Sequence, residues 1–125
     1  MENSVIRSYE DLEVYRRGLN LTVDVYSHLK NYPRFEQYEL CSQMRRASRS
    51  IPCNIAEGYG KKRSTRDFVS YLAIAMCSAN EMVVHLEISK RLGYISVQDA
   101  EKLQEEYKIV GKMLNRLSQN WRSTD

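Results

Sequence analysis

The chain reads as one all-α domain over residues 1–125, an antiparallel up-and-down four-helix bundle whose second helix is kinked at Pro52. Three observations predict this. Apolar residues recur at spacings of three and four in four separate runs, the period of a helix with one face turned to a core. Three Ser-x-x-Asp sequences stand ahead of such runs, where a serine hydroxyl can accept an orphan amide and the acid favours the positive end of the helix dipole. The segments between runs are short, and short connections join antiparallel neighbours. No strand-like alternation and no internal repeat is visible. Hydrophobic content of 42% with 28% charged residues fits a folded domain with a core.

The first helix is expected over about residues 10–30, after Ser8-Tyr9-Glu10-Asp11, with Leu12, Tyr15, Leu19, Thr22, Tyr26 and Leu29 as its core line. Val14, Leu21 and Val25, with Gly18 among them, form a second stripe, which suits either a subunit contact or a wide core face. Asn31 to Phe35 makes the turn to a second helix over about 36–59, whose core line is Leu40, Met44, Ala47, Ile51 and Ile55. Gly60 to Arg63 leads to Ser64-Thr65-Arg66-Asp67 and a third helix over about 65–92, with Phe68, Leu72, Ala75, Ala79, Met82 and Leu86 inward. Ile74, Val84 and Ile88 lie off that line. After Gly93-Tyr94-Ile95, Ser96-Val97-Gln98-Asp99 starts a fourth helix to about 121, with Leu103, Tyr107, Val110, Leu114, Leu117 and Trp121 inward.

Pro52 is the anomaly. It has no amide to give the Ser48 carbonyl, and its ring crowds the preceding turn, at about 3 kcal/mol in an isolated helix. Tertiary packing must compensate, and the freed carbonyl needs a polar side chain or water. On a helical wheel Gln43, Arg46, Ser50, Asn54 and Glu57 share a stripe about 100° from the core line, with Lys61 continuing it. Ser50 with Asn54, and Asn54 with Glu57, stand at contact spacing for a hydrogen-bonded ladder. Two readings compete: a polar network that fixes helix register or an oligomer contact, and a ligand or nucleic-acid site lined by Arg46, Asn54 and Glu57. Glu57 without a histidine, nucleophile or metal beside it makes a poor catalytic centre.

A net charge of +3 is modest, but its distribution is uneven. Residues 34–66 hold eight Lys/Arg against three acids, Glu36, Glu39 and Glu57, while the remainder is slightly acidic. Arg45 and Arg49 are expected one turn apart on an outer face, and Lys61, Lys62, Arg63 and Arg66 cluster at the turn after the second helix. These six are the candidate nucleic-acid-binding residues, through phosphate contacts, with an ordinary solvated basic face as the competing reading. Tyr59 and Tyr71 are candidates for stacking on bases. The three cysteines lack metal or redox spacing and fit reduced thiols in a cytoplasm. Cys77, Glu81 and His85 share a helix face, but three ligands over that rise do not converge on one ion, and His28 is the only other histidine. No catalytic residue, metal or cofactor is expected. No run of about 18 apolar residues occurs, so no membrane span is expected, and the charged N-terminus does not resemble a signal peptide.

The run Gln43-Met44-Arg45-Arg46-Ala47-Ser48-Arg49-Ser50-Ile51-Pro52-Cys53-Asn54-Ile55-Ala56-Glu57-Gly58 resembles the QxRRAxxSIPxNIAEG signature of a bacterial family. These are the four-helix bundle proteins encoded in intervening sequences of 23S ribosomal RNA genes. The likeness extends from Asp11-Leu12 through Leu92-Gly93-Tyr94. Glu39, Arg49, Cys77 and His85 depart from the family's usual residues, Arg49 standing where a small apolar one is common. The resemblance implies a non-enzymatic cytoplasmic homo-oligomer, a ring of five, similar in architecture to the nucleic-acid-binding accessory proteins of diversity-generating retroelements. It leaves two functions to weigh: binding of RNA or DNA, ribosomal RNA included, and a scaffold for a protein partner.

Overall fold

All three predicted serines cap, although the first does not cap the helix expected of it. The computed structural model describes residues 5–121. Ser64 Oγ accepts from Asp67 N at 3.1 Å and Ser96 Oγ from Asp99 N at 3.0 Å, opening α3 (Thr65–Arg91) and α4 (Val97–Asn120). Ser8 instead opens a 3₁₀ turn, Tyr9–Asp11, in which Asp11 Oδ2 accepts from Ser8 N at 3.2 Å. Leu12 is extended, and α1 begins at Glu13 and runs to Leu29. The second helix also starts later than expected. Arg34–Glu36 is a separate 3₁₀ turn, and α2 spans Leu40–Tyr59. Gly93, at φ 76°, ends α3: Tyr94 N donates to Ser89 O and Gly93 N to Lys90 O, the paired bonds of a left-handed glycine stop.

Each helix packs antiparallel on the next, and α4 returns to α1 to close the bundle. The core lines predicted for α2, α3 and α4 are the buried ones, apart from Leu40, Leu117 and Trp121, which are partly covered. Along α1 and its N-cap the expected line holds at Leu12, Thr22 and Leu29, which are buried, and the second stripe proves to be the other half of a wide core face. Val14, Gly18, Leu21 and Val25 are buried and form its core seam with Leu29, whereas Leu19 is 42% exposed. The physical reason is Gly18. A Cβ there would meet Ile51 Cγ2 at 3.0 Å, so α1 comes close to α2 on the glycine side of its wheel and turns Leu19 outward.

By length and composition α3 could cross a membrane, since its most apolar 18-residue window averages a hydropathy of 1.3. That apolarity has a local use, because α3 lies between α2 and α4 and buries Phe68, Leu72, Ala75, Met82 and Leu86 against them. At its far end Glu87 receives Arg91 Nε at 2.8 Å, Lys90 Nζ at 3.1 Å and Gln104 Nε2 at 3.1 Å. The Arg91, Gln104 and Lys90 bonds hold its carboxyl at about 2, against an ordinary 4.5. A carboxylate lowered in this way stabilises the fold fully above its ordinary value and loses that contribution as pH falls toward about 2. The melting temperature of Glu87→Gln is therefore expected to lie below wild type at pH 6 and to converge with it through this acid window. A constant gap across the window would exclude this origin.

Candidate nucleic-acid interface

The α2–α3 turn is built on an aromatic cluster. Phe68 and Trp121 stack edge-on at 4.8 Å between centroids, and Tyr59 contacts each of them at 6.2 Å. Trp121 Nε1 donates to the Lys62 carbonyl at 3.4 Å, and Lys62 Nζ sits 4.6 Å from the Tyr59 ring centroid. Backbone bonds from Lys61 N to Gly58 O, Lys62 N to Tyr59 O and Ser64 N to Lys61 O fold the turn tightly. Lys61, Lys62 and Arg63 are exposed on it, and Arg66 is exposed on the first turn of α3. The structure thus brings four of the six candidate residues together. The same cluster removes Tyr59 from the stacking candidates, since its ring is buried, and Tyr71 is half-buried against Gly58.

Arg45 belongs elsewhere. Its Nη2 donates to Gln37 O at 2.6 Å and its Nη1 to Gln37 Oε1 at 3.3 Å, while Gln37 Nε2 donates to the last carbonyl of α1, Leu29 O. Arg45 therefore locks the α1–α2 connection and is half-buried instead of outward-facing. Arg49 remains exposed, with Nε donating to Arg45 O at 3.3 Å.

The polar stripe divides by side-chain length. Asn54 Nδ2 donates to Ser50 O and Oγ at 2.8 and 2.9 Å, and Ser78 Oγ of α3 donates to Ser50 Oγ at 2.8 Å. These short side chains stay in the crease between α2 and α3. Gln43, Arg46 and Glu57 extend into solvent and take no part, so the Asn54–Glu57 rung of the ladder does not form. On α3, His85 Nε2 pairs with Glu81 Oε2 at 3.0 Å, and Cys77 is exposed.

Sequence reasoning missed a groove between α1 and α2. Tyr9 and Tyr15, 4.8 Å apart and edge-to-face, form one wall, with Thr22, Pro52 and Ala56 beneath and the exposed Leu19, Arg49 and Cys53 at the mouth. Its volume is about 290 Å³. Tyr9 lies ahead of any periodic run, and Arg49 reads as an isolated outward charge, so no spacing signal joins them.

The profile of the family described as 23S rRNA-intervening sequence protein matches residues 10–116. Among solved structures, the chain is similar to a protein of unknown function from the S23 ribosomal protein family of Bacteroides thetaiotaomicron VPI-5482, at 25% identity and a TM-score of 0.76. The match covers 86% of this chain and 96% of that one. No significant similarity to a curated protein is found. The likeness noted in the Gln43–Gly58 run is therefore carried by nearly the whole helical domain, and the chain belongs to the 23S rRNA-intervening sequence protein family.

Proposed function

We propose that this protein is a non-catalytic nucleic-acid-binding bundle whose phosphate-contacting surface is the α2–α3 turn. The observation that carries the reading is the exposure of Lys61, Lys62 and Arg63 on one short turn fixed from below by Trp121, with Arg66 exposed on the first turn of α3 beside it. A fixed cation cluster attracts phosphate without the ordering cost that a loose loop incurs, and contacts of this kind position a backbone but do not read bases. The family's name makes ribosomal RNA the first ligand to test. We propose also that the protein acts as a cytoplasmic homo-oligomer, with a ring of five as the working arrangement. Ile74, Val84 and Ile88 on α3 support self-association, being 48%, 57% and 41% exposed along one outer line. Several copies would multiply the basic turns into one field.

The test is a salt titration of binding to ribosomal RNA fragments and to unrelated RNA and DNA. Wild type is compared with a Lys61→Gln/Lys62→Gln/Arg63→Gln/Arg66→Gln variant whose solution mass is checked beside it. The expected result is affinity falling steeply with salt, with the slope reduced by ~0.7–0.9 for each phosphate contact removed. A wild type that binds nothing at low salt would sink this reading and leave the exposed α3 line as a scaffold surface for a protein partner.

A further inference from the structure

We propose that the Tyr9–Tyr15 groove is a subsite for one unpaired base of a single-stranded nucleic acid, with Arg49 on the adjoining phosphate. This rests on the reading of the α2–α3 turn as a phosphate surface and names the form of nucleic acid taken. The groove is apolar and aromatic within, and none of its lining residues is acidic. Aromatic walls accept any base through its π face, so a site of this kind tolerates sequence. At the mouth, among the described residues, Arg49 bonds the protein through its Nε alone, leaving the two terminal amino groups of its planar fork for a phosphate. Charge and shape are thus paired as a nucleotide requires, a flat apolar ring beside an anion.

The groove lies on the α1 side of α2 and Lys61 continues the stripe on its α3 side, so a strand that reaches both runs partly round the outer face of α2. From Arg49 to Tyr59, the last residue of α2, the axis rises about 15 Å at 1.5 Å per residue, and Lys61 stands in the turn just beyond. A strand of a few nucleotides can span both. A duplex cannot use the groove, because its bases are stacked and paired. Such a strand passes Glu57, whose exposed carboxylate opposes it.

The experiment measures binding of labelled oligouridylate, roughly a dozen nucleotides long, and of an RNA duplex of equal length, at low salt. Wild type, Tyr9→Leu, Arg49→Gln and Glu57→Gln are compared, and wild type is photo-crosslinked to a 5-iodouridine-substituted strand with peptide mapping. The expected results are crosslinks at Tyr9 or Tyr15, single-strand binding weakened on the order of tenfold in Tyr9→Leu and Arg49→Gln, a smaller loss on duplex, and tighter single-strand binding in Glu57→Gln. Crosslinks confined to the 61–66 turn, with the groove variants binding as wild type does, would overturn the subsite and leave the basic turn standing. Wild type binding neither probe would overturn both. If Tyr9→Leu fails to fold, the wild-type crosslinks decide.

Discussion

Gly58→Ala is expected to destabilise the bundle by ~1–3 kcal/mol or more, roughly 4 °C of melting temperature per kcal/mol. Added to Gly58, a Cβ would lie 2.7 Å from Tyr71 Cβ and 3.1 Å from Phe68 Cδ1. The first contact is with an atom fixed to the α3 backbone, so relief requires the helices to part and cannot come from a rotamer change. Parting them here also disturbs Phe68, which is fully buried and stacks on Trp121 beneath the basic turn. The damage is therefore expected to reach the proposed phosphate surface as well. Gly111→Ala is the control. It lies inside α4, where an added Cβ meets no other element of the described residues within 4 Å, so alanine is expected to stabilise by ~0.5–1 kcal/mol through helix propensity alone. Thermal melts of the two variants should move in opposite directions. A Gly58→Ala melt at or above wild type would show that the close approach is not needed.

The sequence made the bundle legible because period and punctuation agreed: the Phe68–Leu86 line of α3 is buried, and the Ser64 and Ser96 caps form as expected. What misled was information held only between helices. In α1 the second apolar stripe suited a subunit contact or a wide core face, and that it is core while Leu19 turns outward is decided by Gly18 meeting Ile51, a fact about α2. At the candidate site, Lys61, Lys62, Arg63 and Arg66 are consecutive or nearly so, and a local cluster survives folding as a cluster. Arg45 looked equivalent to Arg49 on a wheel, yet Gln37 in the preceding connection claims its guanidinium. A wheel treats a helix as isolated and cannot see such a partner. The tyrosine-walled groove combines residues from the 3₁₀ turn, α1 and α2, and no one-dimensional pattern records that combination.

Thr22→Val is expected to cost ~1–3 kcal/mol in the natural background and distinctly less when Pro52 is alanine. Ser48 is fully buried, and its carbonyl lacks the amide that residue 52 of a regular helix would supply. α2 nevertheless continues uninterrupted through Pro52 because the single hydroxyl proton of Thr22 is available to Ser48 O, 3.0 Å from Oγ1, and is shared with Gly18 O of its own helix at 2.9 Å. Valine has nearly the shape of threonine, so its main effect is to strand a buried acceptor. In Pro52→Ala the alanine amide can take that acceptor itself, and the threonine hydroxyl becomes redundant. A double-mutant cycle by chemical denaturation should thus show coupling of at least ~1 kcal/mol, and Thr22→Ser should restore most of the loss. Simple additivity would mean that the hydroxyl matters only within α1. Since Thr22 and Pro52 also form the base of the Tyr9–Tyr15 groove, the bond that rescues the proline fixes the distance between the groove's two sides. The helix-breaking residue and the side chain that answers it thus stand one on each of the two helices that line the groove.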